Sequence, residues 1–194
     1  MTRADVRRVR DVERRAYGPA RPRTNFERDV ESVSGRYLVA IEPGAPPDPH
    51  GRLRRWAGRL GRVRDEPRER MVGFAGGWLL ADQLHVTTVA VHPDAQRRGV
   101  ATALLLALVD AARGAGIATV ALEVRASNEG AQRLYERFGL RRAGTLPGYY
   151  RDNAEDAVVM LSPALDDPAW AGALDRLRGE LAGRAALDLR AAIG

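Results

Sequence analysis

The stretch that decides the fold is Val89-Ala90-Val91-His92-Pro93-Asp94-Ala95-Gln96-Arg97-Arg98-Gly99-Val100-Ala101. Its β-branched start is typical of a strand, and its small-residue end is typical of a helix start. The unpaired N–H groups of a first helical turn, together with the positive end of the helix dipole, favour a diphosphate at such a position. Gly99 lets a ligand approach the backbone, and Arg97 and Arg98 add positive charge. An ordinary strand–loop–helix connection with solvated arginines also fits this pattern.

The flanking sequence predicts a mixed α/β (α+β) domain. Upstream, strands over 71–80 and 84–91 form a hairpin, with a bulge expected at Gly76-Gly77. Downstream, apolar residues from 99 to 112 recur at helical spacing. The later elements are a strand over 119–124, a helix over 128–138, and strands over 142–150 and 157–161. The order predicts a mostly antiparallel sheet flanked by helices, with one βαβ crossover.

The two ends of the chain and one internal segment stand apart from this pattern. Residues 2–17 predict a helix and 36–41 a strand, whereas 43–70 are rich in Arg, Pro and Gly and are expected to form an inserted loop. After Pro163 the composition shifts to Ala, Leu and Arg, and a helix is expected. We therefore predict one domain over 1–163, with the loop inserted, and a C-terminal helical extension over 164–194 that docks on its own domain or frays.

Composition excludes several classes of function. The chain has 194 residues and no cysteine, which excludes disulfides, thiolate zinc sites and a cysteine nucleophile. Its three scattered histidines make a poor metal set, so no metal is expected. There is no apolar run near the ~20 residues that cross a bilayer, and residues 1–15 do not resemble a secretory signal. A cytoplasmic protein without membrane contact is the expectation.

The charge distribution argues against a nucleic-acid partner. The net charge is +6, but residues 1–70 carry +7 and residues 71–194 carry −1. All of the basic residues are arginines, which resembles a coding bias more than a phosphate-binding face. The half of the chain with the clearest folding signals is nearly neutral.

Several segments together resemble the GNAT acyl-CoA N-acyltransferases, specifically the RimI type, which acetylates ribosomal-protein alanine termini. Residues 96–101 resemble the Q/R-x-x-G-x-G/A signature of that family. The resemblance extends over 71–163 through four further segments: residues 122–128, 134–140, 149–150 and 155–160. It implies the GNAT fold, with a central strand pair splayed between 84–91 and 118–124 to admit acetyl-CoA.

The resemblance also implies a role for each matching residue. The backbone of Val89, Ala90 and Val91 would hold the pantetheine arm. The diphosphate would bind at Arg97, Arg98, Gly99, Val100, Ala101 and Thr102, and Asn128 would also contact the cofactor. Glu123 matches the general base and Tyr135 the general acid, while Tyr149 and Tyr150 match tyrosines that line the peptide-entry groove.

This chemistry suits an N-terminal amine. An α-amine has a reference pKa of ~7.7–8.0, and a lysine amine has one of ~10.4. Deprotonating an α-amine therefore costs ~3.4 kcal/mol less than deprotonating a lysine amine. One carboxylate is then an adequate base, and a tyrosine, with a reference pKa of ~10, is protonated at pH 7 and can donate to a departing thiolate. Direct transfer from acetyl-CoA to a primary amine needs no nucleophilic cysteine.

Each of these residues also has a structural interpretation. Glu123 also fits as the partner of Arg125 or of a basic helix residue, and Tyr135 fits as part of a helical core stripe. Asn128 is a good helix N-cap regardless of ligand, and a pair of strand tyrosines often serves only packing. We interpret His85 and His92 as structural.

Departures from the family pattern concern the acceptor side. No strand signal precedes the first helix, so either the sequence begins after that strand or the sheet has one strand fewer. Gln83 stands where the family often has Glu. The expected function is acetyl transfer to a protein N-terminal α-amine, such as that of a small-subunit ribosomal protein. The alternatives are a small-molecule amine acetyltransferase and a non-catalytic CoA- or ribosome-binding module that uses 43–70.

Overall fold

The computed structural model describes residues 2–18, 25–30, 32–43, 69–184 and 187–191. Most of the predicted insert at 43–70 therefore lies outside the described residues. The helices are α1 (Val6–Tyr17), α2 (Phe26–Val30), α3 (Val100–Gly114), α4 (Glu129–Arg137) and α5 (Pro168–Ala182). The strands are β1 (Gly35–Glu42), β2 (Arg70–Leu80), β3 (Gln83–Val91), β4 (Thr119–Arg125), β5 (Arg141–Tyr150), β6 (Glu155–Leu161) and β7 (Asp188–Ala191).

The described strands form one sheet in the order β5-β6-β4-β3-β2-β1-β7. Strands β3 and β4 pair in parallel through the α3 crossover, and the other neighbours pair antiparallel. The mixed, mostly antiparallel sheet flanked by helices is thus confirmed. Two helix positions were also predicted correctly, because the apolar stripe of α3 and the Asn128 cap of α4 are local signals.

The parallel pair β3–β4 separates part-way along its length. Its register runs from Gln83 opposite Thr119 to Val86 opposite Leu122 and ends there. Beyond that point β3 continues to pair with β2, and β4 continues to pair with β6. A gap therefore opens in the middle of the sheet between residues 87–91 and 123–125, as the predicted splay requires.

A bulge in β3 decides which side chains reach each face of the sheet. The register shifts at Gly76-Gly77, so that Thr87 is the extra residue on β3, and the bulge was predicted from the glycine pair. Before the bulge, Leu84 packs in the core under α3; after it, Ala90 packs in the core under α1. Since strand side chains alternate, His85 lies on the sheet face opposite α3.

The C-terminal extension contains more than the predicted helix. The buried face of α5, which includes Trp170, Leu174 and Leu177, joins the core formed by α3 and the sheet. The Trp170 indole donates a hydrogen bond to the carbonyl oxygen of Phe138. After α5 the chain returns as β7, which pairs antiparallel with β1 at the sheet edge. The helical extension therefore docks and also adds a seventh strand, which the sequence did not predict.

Candidate active site

The start of α3 presents unpaired backbone donors. Gly99 has a φ of +88° and precedes the helix, and Arg97 also has a positive φ of +63°. The first helical hydrogen bond runs from the Ala103 N–H to the Gly99 carbonyl, at 2.9 Å. The N–H groups of residues 100–102 therefore have no acceptor within the helix. Such a turn favours an anionic ligand, as the sequence predicted.

A cleft of about 630 Å³ opens beside this turn, between β3, α3, α4 and the end of α5. Its size is that of ligand sites in other proteins. The residues that line it are Val89, Val91, Ala95, Gln96, Arg97, Gly99, Val100, Ala101, Thr102, Asn128, Gly130, Ala131, Arg133, Leu134, Tyr135, Arg137, Glu180, Leu181 and Arg184.

The cleft wall carries more positive than negative charge. Four arginines line it, and Glu180 is the single acid among the lining residues. Glu180 forms an ion pair with Arg137, and the Arg184 guanidinium lies 3.5 Å from the Arg97 carbonyl oxygen. The end of α5 therefore places both a cation and the apolar Leu181 against the turn before α3. A polyanionic ligand would meet complementary charge here.

Tyr135 lies on α4 and faces the cleft from within the core. The residue is 9% exposed, and no hydrogen bond to its hydroxyl is found within the described part of the chain. Burial raises the pKa of Tyr135 above the usual tyrosine value, and the neighbouring Tyr17 and Tyr150 add to the effect. The hydroxyl therefore stays protonated at neutral pH and remains a donor.

Glu123 lies where β4 has left β3, and its side chain is 19% exposed. Its Oε2 is 2.7 Å from Nε2 of His85. The alternative that pairs Glu123 with Arg125 is wrong, because Arg125 binds Asp152 and Glu155 instead, at 2.8 and 3.0 Å. Glu123 thus has one ion-pair partner among the described residues, and that partner is a histidine.

Two tyrosines of β5 stand next to Glu123. The rings of Tyr149 and Tyr150 meet edge to face with centroids 5.2 Å apart, and the Arg125 guanidinium lies 4.0 Å from the Tyr150 centroid. The Tyr150 hydroxyl donates to the Glu123 carbonyl oxygen at 3.4 Å, while Tyr149 is 47% exposed. The surface beside Glu123 is therefore aromatic and open to solvent.

Comparison with known proteins identifies the family. The model of the acetyltransferase (GNAT) family matches residues 8–140, which is more than half of the chain. The chain belongs to the GNAT family. In Mycobacterium tuberculosis a relative called N-alpha-acetyltransferase RimI is 30% identical over 166 residues, covering 82% of this chain and 87% of that protein.

A second relative and a solved structure agree with this assignment. The Escherichia coli [ribosomal protein bS18]-alanine N-acetyltransferase is 42% identical over 96 residues, which cover 48% of this chain. The match spans 65% of that protein, less than two thirds of its length. The crystal structure of the ribosomal-protein-S18-alanine N-acetyltransferase from Escherichia coli superposes with a TM-score of 0.54 at 27% identity, covering 84% of this chain and 90% of that one.

In this GNAT domain most of the predicted cofactor residues line the cleft. Two do not: Arg98 forms an ion pair with Glu42, and the Ala90 side chain packs in the core under α1. Asn128 lines the cleft and also caps α4, accepting a hydrogen bond from the Ala131 N–H at 3.1 Å. For Asn128 the structural and the functional interpretations are compatible.

Sequence reasoning missed three contributors to the site of this GNAT chain. His85 was interpreted as structural, although it contacts Glu123. Tyr17 donates to the Val89 carbonyl oxygen at 3.0 Å, in the part of β3 that borders the gap. The end of α5 supplies Leu181 and Arg184 to the cleft. No regular sequence spacing links these residues. The one signal in the sequence is the alternation of side chains along β3, which puts His85 on the same face as Gln83.

A side chain at Gly99 should destabilise the fold. A Cβ there would lie 2.7 Å from Cδ2 of Leu181, and the left-handed backbone at this residue is unfavourable for Ala by ~1–2 kcal/mol. We expect Gly99→Ala to lower the free energy of unfolding by at least that amount, measured by thermal or denaturant unfolding. The matched control is Gly114→Ala at the other end of α3, where a Cβ meets nothing within 4 Å. Equal stability of the two variants would contradict the geometry of this turn.

The described residues contain neither a cluster of metal ligands nor a helix that could span a membrane. Among residues 2–18, 25–30, 32–43, 69–184 and 187–191, no group of three or more His, Asp or Glu side chains is placed to hold a metal ion. No helix within the same ranges has both the length and the apolar character needed to cross a membrane.

Proposed function

We propose that this chain transfers the acetyl group of acetyl-CoA to the N-terminal α-amine of a protein, such as a small-subunit ribosomal protein. The observation that carries the proposal is the arrangement around the gap in the sheet. A basic cleft with free backbone donors lies on one side of the gap, and the Glu123 carboxylate with its open aromatic surface lies at the other. The names of the Escherichia coli and Mycobacterium tuberculosis relatives support the choice of acceptor. Such an acceptor implies a cytoplasmic location.

The cofactor would enter from the cleft. The N–H groups at Gly99, Val100, Ala101 and Thr102 would bind the diphosphate, with Arg97 and Arg184 supplying charge. The backbone of β3 beyond Thr87 would hold the pantetheine arm, since β4 no longer pairs with it there. This path delivers the thioester to the gap, between Tyr135 on the cleft side and Glu123 on the open side.

The acceptor would reach the thioester from the open face of the sheet, past Tyr149 and Tyr150. Its ammonium carries three protons. One passes to the Glu123 carboxylate and on to water, which frees the nitrogen lone pair for attack on the thioester carbon. As the C–S bond breaks, Tyr135 gives its hydroxyl proton to the CoA sulfur. The second amine proton leaves the nitrogen and reprotonates Tyr135 through water, and the third stays on the amide nitrogen. No covalent enzyme intermediate is required.

A thiol-release assay tests this proposal. We expect hexapeptides with an N-terminal alanine to release CoA from acetyl-CoA, and mass spectrometry to place the acetyl group on the α-nitrogen. The same peptides blocked at the N-terminus but carrying an internal lysine should release at least tenfold less, because a lysine amine is ~2.5 pKa units more basic.

Two other outcomes would contradict the proposal. Turnover of polyamines, aminoglycosides or free amino acids without turnover of peptides would indicate a small-molecule acetyltransferase. RNA binding with a steep inverse salt dependence, combined with no CoA release for any amine, would indicate a non-catalytic binding module.

A further inference from the structure

His85 and Glu123 form an ionisable pair at the point where β3 and β4 stop pairing. Their side chains are 28% and 19% exposed, and the Nε2–Oε2 distance is 2.7 Å. A bare imidazole nitrogen and a carboxylate oxygen are both acceptors, so an approach this close requires a proton between them. His85 therefore donates its Nε2–H to Glu123, in either the neutral or the imidazolium form.

The pair is specific to these two side chains. Across β3 and β4 the parallel register sets His85 opposite Ala121, so Glu123 is its diagonal neighbour one step along the same face. Within the described residues no other side chain hydrogen-bonds the Glu123 carboxylate. With Oε2 occupied by His85, Oε1 is the oxygen left to accept a proton from a ligand in the gap.

We propose that His85 is a positioning residue for proton transfer to Glu123, an inference that rests on the proposed function. Its Nε2–H holds the carboxylate at the gap by a hydrogen bond to Oε2. When the substrate ammonium gives up a proton, an N–H bond breaks and an O–H bond forms at Oε1. The neutral imidazole keeps its own proton throughout, and Glu123 then releases the acquired proton to water.

The other titratable groups around the pair do not change charge near neutral pH. Burial raises the pKa of Tyr149, as does the negative charge of Glu123. Burial also raises the pKa of Tyr150 to about 12. Arg125, the next residue on the same face of β4, is held by two acids, which keep it protonated.

The elements on the other side of His85 are β2 and α1. Its cross-strand partner on β2 is Trp78, which carries no charge. From α1, the buried Glu13 lies in the core, and Tyr17 bonds to Thr88 and Val89, with its pKa raised by burial. A loss of activity on the acid side that is present in the wild-type protein and absent in His85→Gln therefore reports His85.

A pH profile distinguishes positioning from mere packing. A second proton on the His85 imidazole would neutralise the charge of Glu123 and lower the affinity of the carboxylate for the amine proton. The substrate amine also becomes protonated on the acid side, which by itself gives a slope of one. We expect log(kcat/KM) of the wild-type protein to fall with a slope approaching two, and that of His85→Gln to fall with a slope near one.

The experiment compares three variants with the full-length wild-type protein on an alanine-terminated hexapeptide. His85→Leu removes the donor and should lower kcat by about 10- to 100-fold, whereas His85→Gln keeps an N–H donor and should retain kcat within about threefold at pH 8. Gln83→Leu is the matched control: this neighbour on the same face bonds Thr119 and should leave kcat unchanged. Calorimetry with acetyl-CoA should give the same Kd for all of them, which verifies folding.

Unchanged kcat and slope in His85→Leu would overturn the inference, as would an equal loss in His85→Gln and His85→Leu. A second readout does not depend on turnover. In an NMR spectrum of the imidazole N–H protons, the His85 signal, identified by its absence in His85→Gln, should shift in Glu123→Gln, because the acceptor changes from a carboxylate to an amide. An identical His85 signal in wild type and Glu123→Gln would overturn the pairing itself. If no amine is acetylated at all, the proposed function fails, and the NMR comparison still decides the pair.

Discussion

Replacing Glu123 by glutamine is expected to lower kcat for peptide acetylation by roughly 10²–10⁴-fold at pH 7, with the Kd for acetyl-CoA nearly unchanged. Glutamine keeps the size of the side chain and one oxygen that can accept the hydrogen bond from His85. It cannot take up a proton. The cofactor cleft is built from other residues, on α3, α4 and the end of α5, so its affinity for the cofactor should survive.

The pH dependence makes this prediction sharper. An α-amine with a reference pKa of ~7.7–8.0 is about one-tenth neutral at pH 7 and mostly neutral at pH 9. The loss of kcat in Glu123→Gln should therefore become smaller as pH rises from 7 to 9, because the amine is then already deprotonated in solution. The matched control is Glu136→Gln on the exposed side of α4, away from the cleft. Wild-type turnover in Glu123→Gln would remove Glu123 from the mechanism.

The parts of the fold that the sequence predicted are those with local signals. The apolar stripe of α3, the cap of α4 and the Gly76-Gly77 bulge are each set by residues within a few positions of one another. The turn at Gly99 is of the same kind, because glycine is the residue that adopts a left-handed backbone before a helix at the lowest energetic cost. The cleft beside α3 depends on these local elements, and most of the residues that the sequence assigned to the cofactor line it. Their role in cofactor binding stays a prediction.

The parts that the sequence missed depend on contacts between distant residues. Strand β7 spans only Asp188–Ala191, alternates charged with apolar residues, and forms only because β1, about 150 positions earlier, offers an edge. His85 and Glu123 are 38 positions apart and meet through the register of a parallel pair. The bulge at Thr87 also reverses, half-way along β3, which of the alternating side chains face each side of the sheet. Hydrophobic periodicity in the sequence cannot predict either the strand register or this reversal.

Replacing Tyr135 by phenylalanine is the second change with a large expected effect. The Tyr135 residue is 9% exposed and lines the cleft, and no hydrogen bond to its hydroxyl is found among the described residues. Its removal should therefore leave the free energy of unfolding nearly unchanged while lowering kcat by about 10²-fold. The control is Tyr37→Phe, whose hydroxyl donates to Asp29 at 2.9 Å outside the cleft. That variant should lose about 1 kcal/mol of stability and keep its kcat.

The size of the Tyr135 effect follows from the acidity of the two partners. A tyrosine with a pKa of ~10 that protonates a thiolate of ~8.5 works uphill by ~2 kcal/mol, and burial raises the pKa of Tyr135 further. Its main contribution is then a hydrogen bond to the departing sulfur, which places the loss near the lower end of the range for acid catalysis. The raised pKa also keeps the hydroxyl protonated, so Tyr135 should produce no fall in rate between pH 7 and 9. An unchanged kcat in Tyr135→Phe would assign the proton on sulfur to water or to Glu123.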